Sequence, residues 1–289
     1  MKWITVATLF FVVSFASCGN LIDPDFLSWM NANLSPADVA KVVRDDCITG
    51  SFGGGVYTGD STDRPLIMVH GLNNEAGTLY PLSRNFTDMH YPSQRIFAST
   101  WGRCAESFNP NVTLNCQTVQ DVRRVIEVVL NYTGAPQVDV AGYSMGSPIV
   151  RKAILGGPCV DDSSVNIGAP LTSKIHTFLS VAGANQGAAL CTVGQLFSQA
   201  AICNNYNGLG CTSTFLKDIN NSTNYEASYK SFYITSMTDE MVGWYTCLLP
   251  PRMSSKFAGA EGTTIFGKNH TQTEYDTSAI QLPLLRQTA

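Results

Sequence analysis

Short apolar runs alternate with longer amphipathic stretches along most of the chain. The run at residues 66–69 has the length and composition of a buried strand, and residues 76–89 have the pattern of a helix. Residues 118–131 place Val122 and Val129 on one face of another helix. This alternation predicts an α/β fold with a mostly parallel central sheet and helices on both faces. The predicted strands are residues 66–69, 95–101, 138–141, 175–182, 231–236 and 263–266, and the predicted helices are residues 37–46, 76–89, 118–131 and 147–155.

Residues 185–229 follow no strand–helix unit. They hold three cysteines, Cys191, Cys203 and Cys211, among scattered leucines and phenylalanines. We therefore expect a disulfide-tied insertion over the edge of the sheet. The sequence leaves open whether this insertion acts as a lid.

The N-terminal segment has the pattern of a secretory signal. Its apolar run, from residue 3 to about residue 16, is shorter than the roughly 20 residues that a membrane span needs. Ala16 and Cys18 fit the small positions of a cleavage site, which predicts a signal peptide over residues 1–18 and one domain over residues 19–289. We expect a secreted protein with no transmembrane span after cleavage. An uncleaved anchor and a lipoprotein signal are the alternatives.

The cysteines and glycosylation motifs favour the same compartment. Removing Cys18 from the nine cysteines leaves an even number, which predicts four disulfides without fixing their pairing. We favour a local Cys104–Cys116 bridge and pairing among the three cysteines of the insertion. No Cys-x-x-Cys spacing indicates a metal site. A glycoprotein is favoured by Asn-x-Ser/Thr motifs at Asn85, Asn111, Asn131, Asn220 and Asn221.

The overall composition excludes two classes of protein. Hydrophobic residues make up 44% of the chain and charged residues 14%, which is too apolar for a disordered protein. The formal net charge is −4, and no run of Lys and Arg offers a surface for phosphates. We expect no nucleic-acid partner.

A Gly-x-Ser-x-Gly motif spans Gly142-Tyr143-Ser144-Met145-Gly146. It directly follows a predicted strand and directly precedes a predicted helix, which is the setting of the nucleophile elbow in α/β-hydrolases. The glycines leave room for a sharp turn in which the serine backbone is strained. This context predicts that Ser144 is a nucleophile.

A serine nucleophile needs a base, and this fold class places the acid and then the histidine after the serine in the chain. Of the four histidines, His70 and His90 precede Ser144, and His176 begins a predicted strand with no suitable acid before it. His270 remains, in a predicted loop after the last strand. Asp239 follows the strand at 231–236 and is favoured as the acid, with Glu240 as the alternative.

Acyl transfer also needs N–H donors directed at the developing oxyanion. In this fold one donor is the residue after the nucleophile, here Met145, and the other comes from the loop after the strand that ends at His70-Gly71. Leu72 is the predicted second donor.

Together these segments resemble the class 2 lipase family. The resemblance rests on Pro65 to Leu72, Gly142 to Gly146, Thr238-Asp239 and Gly267 to His270, in that order. It implies an α/β-hydrolase that cleaves carboxylic esters of lipids without a cofactor, with Ser144, Asp239 and His270 as its triad. It also implies transient contact with a lipid–water interface. The cysteines and the insertion exceed those of the small bacterial members and fit the secreted invertebrate relatives better.

Other functions on the same fold stay open. An acyltransferase or thioesterase would use the same triad, since a fold does not select the reaction. A secreted lipid-binding protein without activity is the alternative from another class, although no triad member is missing.

Overall fold

The computed structural model describes residues 21–59, 62–104, 109–193, 200–247 and 250–287. The predicted signal peptide, residues 1–18, lies outside these ranges. Among the described residues no helix is both long enough and apolar enough to cross a membrane.

Eight strands of the described residues form one central sheet, and six of these strands correspond to the predicted apolar runs. Their order is β1-β2-β4-β3-β5-β6-β7-β10, and every neighbouring pair is parallel except β2 and β4. β8 and β9 form a separate antiparallel pair. The strands are β1 (Leu21–Ile22), β2 (Phe52–Gly53), β3 (Leu66–Val69), β4 (Ile96–Ala98), β5 (Val138–Tyr143), β6 (Ile175–Val181), β7 (Lys230–Ser236), β8 (Tyr245–Thr246), β9 (Arg252–Met253) and β10 (Ala260–Ile265).

Helices cover both faces of the sheet and create two apolar cores. In β3 the side chains of Ile67 and Val69 pack into one core, and those of Leu66 and Met68 pack into the other. This alternation explains why the run is apolar at every position, since a parallel strand is buried on both sides. The α-helices are α1 (Pro24–Asn33), α2 (Pro36–Val43), α3 (Tyr80–Asp88), α4 (Cys116–Thr133), α5 (Gly146–Leu155), α6 (Leu190–Val193), α7 (Thr214–Asn220), α8 (His270–Tyr275) and α9 (Ser278–Leu285).

The α/β-hydrolase fold class is confirmed, with two kinds of difference from the sequence prediction. Each predicted strand and helix is present, with its bounds shifted by a few residues. The sequence prediction missed β1, β2, the β8–β9 pair and five helices: α1, α6, α7, α8 and α9. The predicted loop around His270 is wrong, because His270 is the first residue of α8.

Four disulfides link the eight cysteines, and one predicted pair is wrong. The bonds are Cys47–Cys104, Cys116–Cys159, Cys191–Cys203 and Cys211–Cys247. Cys104 does not pair with Cys116, because Cys116 opens α4 and its N–H donates to Asp161, near Cys159. The predicted pairing within the insertion is confirmed for Cys191–Cys203, whereas Cys211 bonds outside it. The insertion is therefore tied both within itself and to the residue that follows β8.

Candidate active site

Ser144 lies at the bend between β5 and α5, at the carboxyl edge of the sheet. Its φ angle of +50° is in the left-handed region, which is strained for a residue with a side chain. The flanking glycines are required by close approach. A Cβ on Gly142 would lie 2.8 Å from the Cα of Ser147, and one on Gly146 would lie 2.3 Å from the carbonyl oxygen of His70. The serine hydroxyl is thus held on a rigid turn.

His270 is brought to Ser144 by the start of α8. Asn269 caps this helix, and Gln272 completes a capping box by accepting from the Asn269 N–H. The His270 ring is buried, and its Nε2 lies 2.9 Å from Ser144 Oγ. The base position is therefore fixed by a capped helix.

Asp239 lies on the other side of the imidazole. Its Oδ2 is 2.8 Å from His270 Nδ1. Its Oδ1 accepts the backbone N–H groups of three consecutive residues, Met241, Val242 and Gly243, at 2.9, 2.9 and 3.3 Å. Burial alone would raise the pKa of Asp239, but the hydrogen bond and charge of His270, together with the N–H groups of Gly243 and Met241, hold this pKa below its usual value. This carboxyl group is ionised at neutral pH.

Glu240, the alternative acid, contacts His270 differently. Its Oε2 accepts the backbone N–H of His270 at 3.0 Å and makes no contact with the ring nitrogens within hydrogen-bond distance. The geometry therefore brings together Ser144, His270 and Asp239. Glu240 anchors the start of α8 instead.

The pKa of His270 is raised, although burial acts against this. Burial alone would lower it, but the hydrogen bond to Asp239 and the negative charges of Glu274, Asp239 and Glu240 raise it above its ordinary value. The surrounding carboxylates therefore favour an imidazolium at this position.

The loop after β3 lies against the serine. A Cβ on Gly71 would come 2.9 Å from the Cβ of Ser144, so a glycine permits this approach. Leu72 and Met145 line the same cavity as Ser144. Among the described residues, neither of their backbone N–H groups donates a hydrogen bond. Both groups are therefore free to serve a ligand.

His70 holds this loop in place. Its Nδ1 is 2.8 Å from the carbonyl oxygen of Gly71, its Nε2 accepts the Trp101 N–H at 3.2 Å, and the two rings stack. Burial lowers the pKa of His70 to about 4, so the ring stays neutral. His176 is the second residue of β6, at the opposite edge of the sheet from Ser144, and its Nδ1 is 2.9 Å from Thr177 Oγ1. His90 is exposed.

A cavity of about 340 Å³ opens beside Ser144. Part of its wall comes from the insertion, through the apolar side chains of Leu190, Ile202 and Leu209. The cavity fits an apolar group held next to a nucleophile. Among the described residues, a grouping of Asp46, Cys47 and Cys104 has metal-ligand spacing, but its two sulfurs are bonded to each other.

Glu274 is a charged residue of the cavity that the sequence prediction did not name. It lies one helical turn after His270, and its side chain is buried next to the imidazole. The spacing of four residues would have revealed it had the sequence predicted a helix there. The segment His270–Tyr275 is too short and too polar for a hydrophobic period to predict one.

Solved structures with a similar fold include lipases and a phospholipase. The mature lipase BlEst2 of Bacillus licheniformis superposes with a TM-score of 0.54 at 12% identity, over 81% of this chain and 97% of that one. Phospholipase PlaB of Legionella pneumophila superposes with a TM-score of 0.52 at 16% identity, over 78% of this chain and 59% of that one. Aspergillus fumigatus lipase B superposes with a TM-score of 0.50 at 14% identity, over 73% of this chain and 47% of that one. These likenesses show a shared fold.

Comparison with curated proteins finds no match. The family model described as Lipase (class 2), however, matches residues 63–283. That range is more than half of the chain, and it includes the strand before Gly71, the turn at Ser144 and the elements that bear Asp239 and His270. The chain therefore belongs to the class 2 lipase family.

Proposed function

We propose that this protein is a secreted carboxylic ester hydrolase that cleaves lipid esters through a Ser144–His270–Asp239 triad. The observation that carries the proposal is the continuous chain of contacts from Asp239 Oδ2 to His270 Nδ1 at 2.8 Å and from His270 Nε2 to Ser144 Oγ at 2.9 Å. Both distances are within hydrogen-bond reach, which proton transfer requires.

In the proposed reaction, Ser144 Oγ attacks the ester carbonyl carbon while its proton moves to His270 Nε2. Asp239 keeps the other ring nitrogen protonated and stabilises the imidazolium that forms. The N–H groups of Leu72 and Met145 stabilise the oxyanion, at roughly 3 kcal/mol for each donor.

The tetrahedral intermediate then collapses. The bond to the alkoxy oxygen breaks, the departing alcohol takes the proton from Nε2, and the acyl group stays on Ser144. Water attacks this acyl-enzyme, again giving a proton to Nε2. Release of the carboxylic acid returns that proton to Ser144. No cofactor enters these steps.

The substrate class is inferred from the cavity and the family. Leu190, Ile202 and Leu209 give an apolar wall beside the nucleophile, which suits the acyl chain of a lipid better than a polar substrate. The family and the named lipases of similar fold support the same class. Lipids are held at interfaces, so we propose transient contact of this edge of the sheet with a lipid–water surface.

A fluorophosphonate probe tests the proposal directly. We expect the wild-type protein to be labelled at Ser144, and labelling to be lost in Ser144→Ala while the protein remains folded. A folded wild type that resists the probe and hydrolyses neither a soluble short-chain ester nor a triglyceride emulsion would contradict the proposal and indicate a lipid-binding protein. Product analysis with an added alcohol or a thioester separates hydrolysis from acyl transfer and thioesterase activity.

Secretion and glycosylation are part of the same proposal. The four disulfides fit an oxidising compartment. Asn221 is exposed, whereas the Asn220 side chain is engaged by Arg151 and by two backbone carbonyls. We therefore expect the overlapping motif to carry a glycan on Asn221. Mass spectrometry of protein secreted from eukaryotic cells, with N-terminal sequencing at the predicted cleavage after Cys18, checks both statements.

A further inference from the structure

Glu274 is a buried carboxyl group next to the proposed base. It follows His270 by four residues on α8, so both side chains lie on one face of the helix. Its Oε1 is 3.9 Å from His270 Nε2, the ring nitrogen that faces Ser144. The Glu274 side chain is only 4% exposed. The imidazole therefore has a carboxyl group near each of its nitrogens, Asp239 at Nδ1 and Glu274 at Nε2.

The carboxyl oxygen of Glu274 points into the site without a partner. Oε1 is buried and has no hydrogen-bond partner among the described residues. A Cβ on Gly71 would come 3.4 Å from this oxygen and 2.9 Å from the Cβ of Ser144. Oε1 therefore lies against the loop after β3, close to the nucleophile. Buried polar atoms without a partner are rare in native proteins, and a catalytic role is one explanation for such an atom.

The electrostatic surroundings of Glu274 contain one group that becomes a cation during the reaction. The titratable groups around Glu274 are His270 and Tyr275 on its own helix, Tyr143 at the end of β5, and Asp239 on the loop after β7. The charge of Glu240, on the same loop as Asp239, acts on His270. Burial raises the pKa of Glu274 to about 7; the charge of His270 opposes this shift, and that of Asp239 adds to it. In return, the negative charge of Glu274 raises the pKa of His270. The two groups are coupled, so an imidazolium favours the ionised carboxyl group.

We propose that Glu274 is a second charged partner of His270, which stabilises the imidazolium from its Nε2 side and sets the lower pH limit of activity. This inference rests on the proposed function. Glu274 acts through His270 and exchanges no proton in the reaction: the Ser144 proton moves to Nε2 and then to the departing alcohol, and the ionised carboxyl group only stabilises the ring that carries this proton. Glu274 is thus a positioning residue.

The test compares Glu274→Gln with the wild type on a soluble ester between pH 5 and pH 10. The glutamine keeps the shape and removes the charge. We expect the acidic limb of kcat/KM to move down by about one pH unit, because the neutral form of His270 persists to lower pH. We also expect kcat on the plateau to fall about tenfold with KM unchanged, because stabilisation specific to the transition state is lost.

Glu261→Gln is the matched control. Glu261 lies exposed on β10 and pairs with Lys230, so this variant removes an equal charge at the surface. We expect it to leave the limb and kcat unchanged. Glu274→Asp retains the charge but places it farther from His270, because the side chain is shorter by one methylene. The acidic limb of this variant should therefore lie between those of the wild type and Glu274→Gln.

A limb that is the same in Glu274→Gln and in the control would overturn the inference. A fall in kcat without a shift of the limb would also overturn it, since that result indicates a packing role. If Glu274→Gln lacks a cooperative unfolding transition, Glu274→Asp takes its place, and an unmoved limb in that variant has the same meaning. Labelling with the fluorophosphonate distinguishes failure of the proposed function from failure of this inference. An unlabelled wild type contradicts the proposed function, whereas equal labelling of wild type and Glu274→Gln at every pH contradicts this inference alone.

Discussion

Replacement of Asp239 by asparagine tests how the acid controls the base. In the structure, Oδ1 of Asp239 is fixed by three backbone N–H donors, from Met241, Val242 and Gly243. Only the amide oxygen of an asparagine can accept these hydrogen bonds, so its NH₂ group must face His270 Nδ1. Nδ1 would then have to accept a hydrogen bond from this NH₂ group, and the ring proton would lie on Nε2. A ring protonated at Nε2 cannot take the proton of Ser144.

We therefore expect Asp239→Asn to lower kcat by about 10⁴-fold, the size of effect seen when a triad histidine has the wrong tautomer. This corresponds to roughly 5 kcal/mol of transition-state stabilisation. The assay is steady-state hydrolysis of a soluble chromogenic ester, with circular dichroism to check the fold.

Glu240→Gln is the control for this prediction. The Glu240 carboxylate accepts a hydrogen bond only from the backbone N–H of His270, and a glutamine oxygen can accept the same bond. We therefore expect kcat to fall by less than about tenfold, because one neutral hydrogen bond replaces a charged one. The reasoning is refuted if Asp239→Asn retains most of the activity, or if the large loss appears in Glu240→Gln instead.

Three further predictions concern stability and the substrate surface. The pKa of Glu274 is raised from 4.5 to about 7, so its contribution to stability is complete below about pH 4.5 and is lost as the pH rises through 7. Thermal unfolding should show that the free energy of unfolding of Glu274→Gln increases by about 3 kcal/mol relative to that of the wild type between pH 4 and pH 9. A difference that stays constant over this range would contradict the prediction. A disulfide that closes a longer loop restricts the unfolded chain more. Removing Cys211–Cys247, which spans 36 residues, should therefore lower the free energy of unfolding by about 4 kcal/mol, and removing Cys191–Cys203, which spans 12, by about 3 kcal/mol. Denaturant titration of the two double serine variants measures both losses, and the reverse order would contradict this reasoning. Phe266 is 77% exposed just before the α8 cap, so Phe266→Ser should lower hydrolysis of an emulsion and leave hydrolysis of a soluble ester unchanged. Tyr225→Ser alters an exposed side chain at the opposite edge of the sheet and should leave both activities unchanged. Equal losses on both substrates in Phe266→Ser would argue against a lipid-facing role.

The sequence was most informative where the structure is local. The turn at Ser144 is determined by five consecutive residues between a strand and a helix, so its motif and context predict the geometry directly. The apolar runs of β3, β5 and β6 predict strands because both faces of a parallel sheet are buried.

Non-local features were harder to predict, for physical reasons. Disulfide pairing depends on which loops meet in space, and Cys116 faces the loop of Cys159 although Cys104 is nearer in the chain. The strand pairs of β1 and β2 contain two residues each, too few to show a period. His270 could be selected by chain order, but its helix is held by a capping box and tertiary contacts, so neither the helix nor Glu274 follows from an apolar pattern.

The capping box at Asn269 has a consequence for the time course of the reaction. Because it fixes the imidazole at hydrogen-bond distance from the hydroxyl with no substrate bound, the catalytic groups are preorganised. A water-soluble monomeric ester should consequently be turned over at its full steady-state rate from the moment of mixing, with no lag phase and no requirement for a surface.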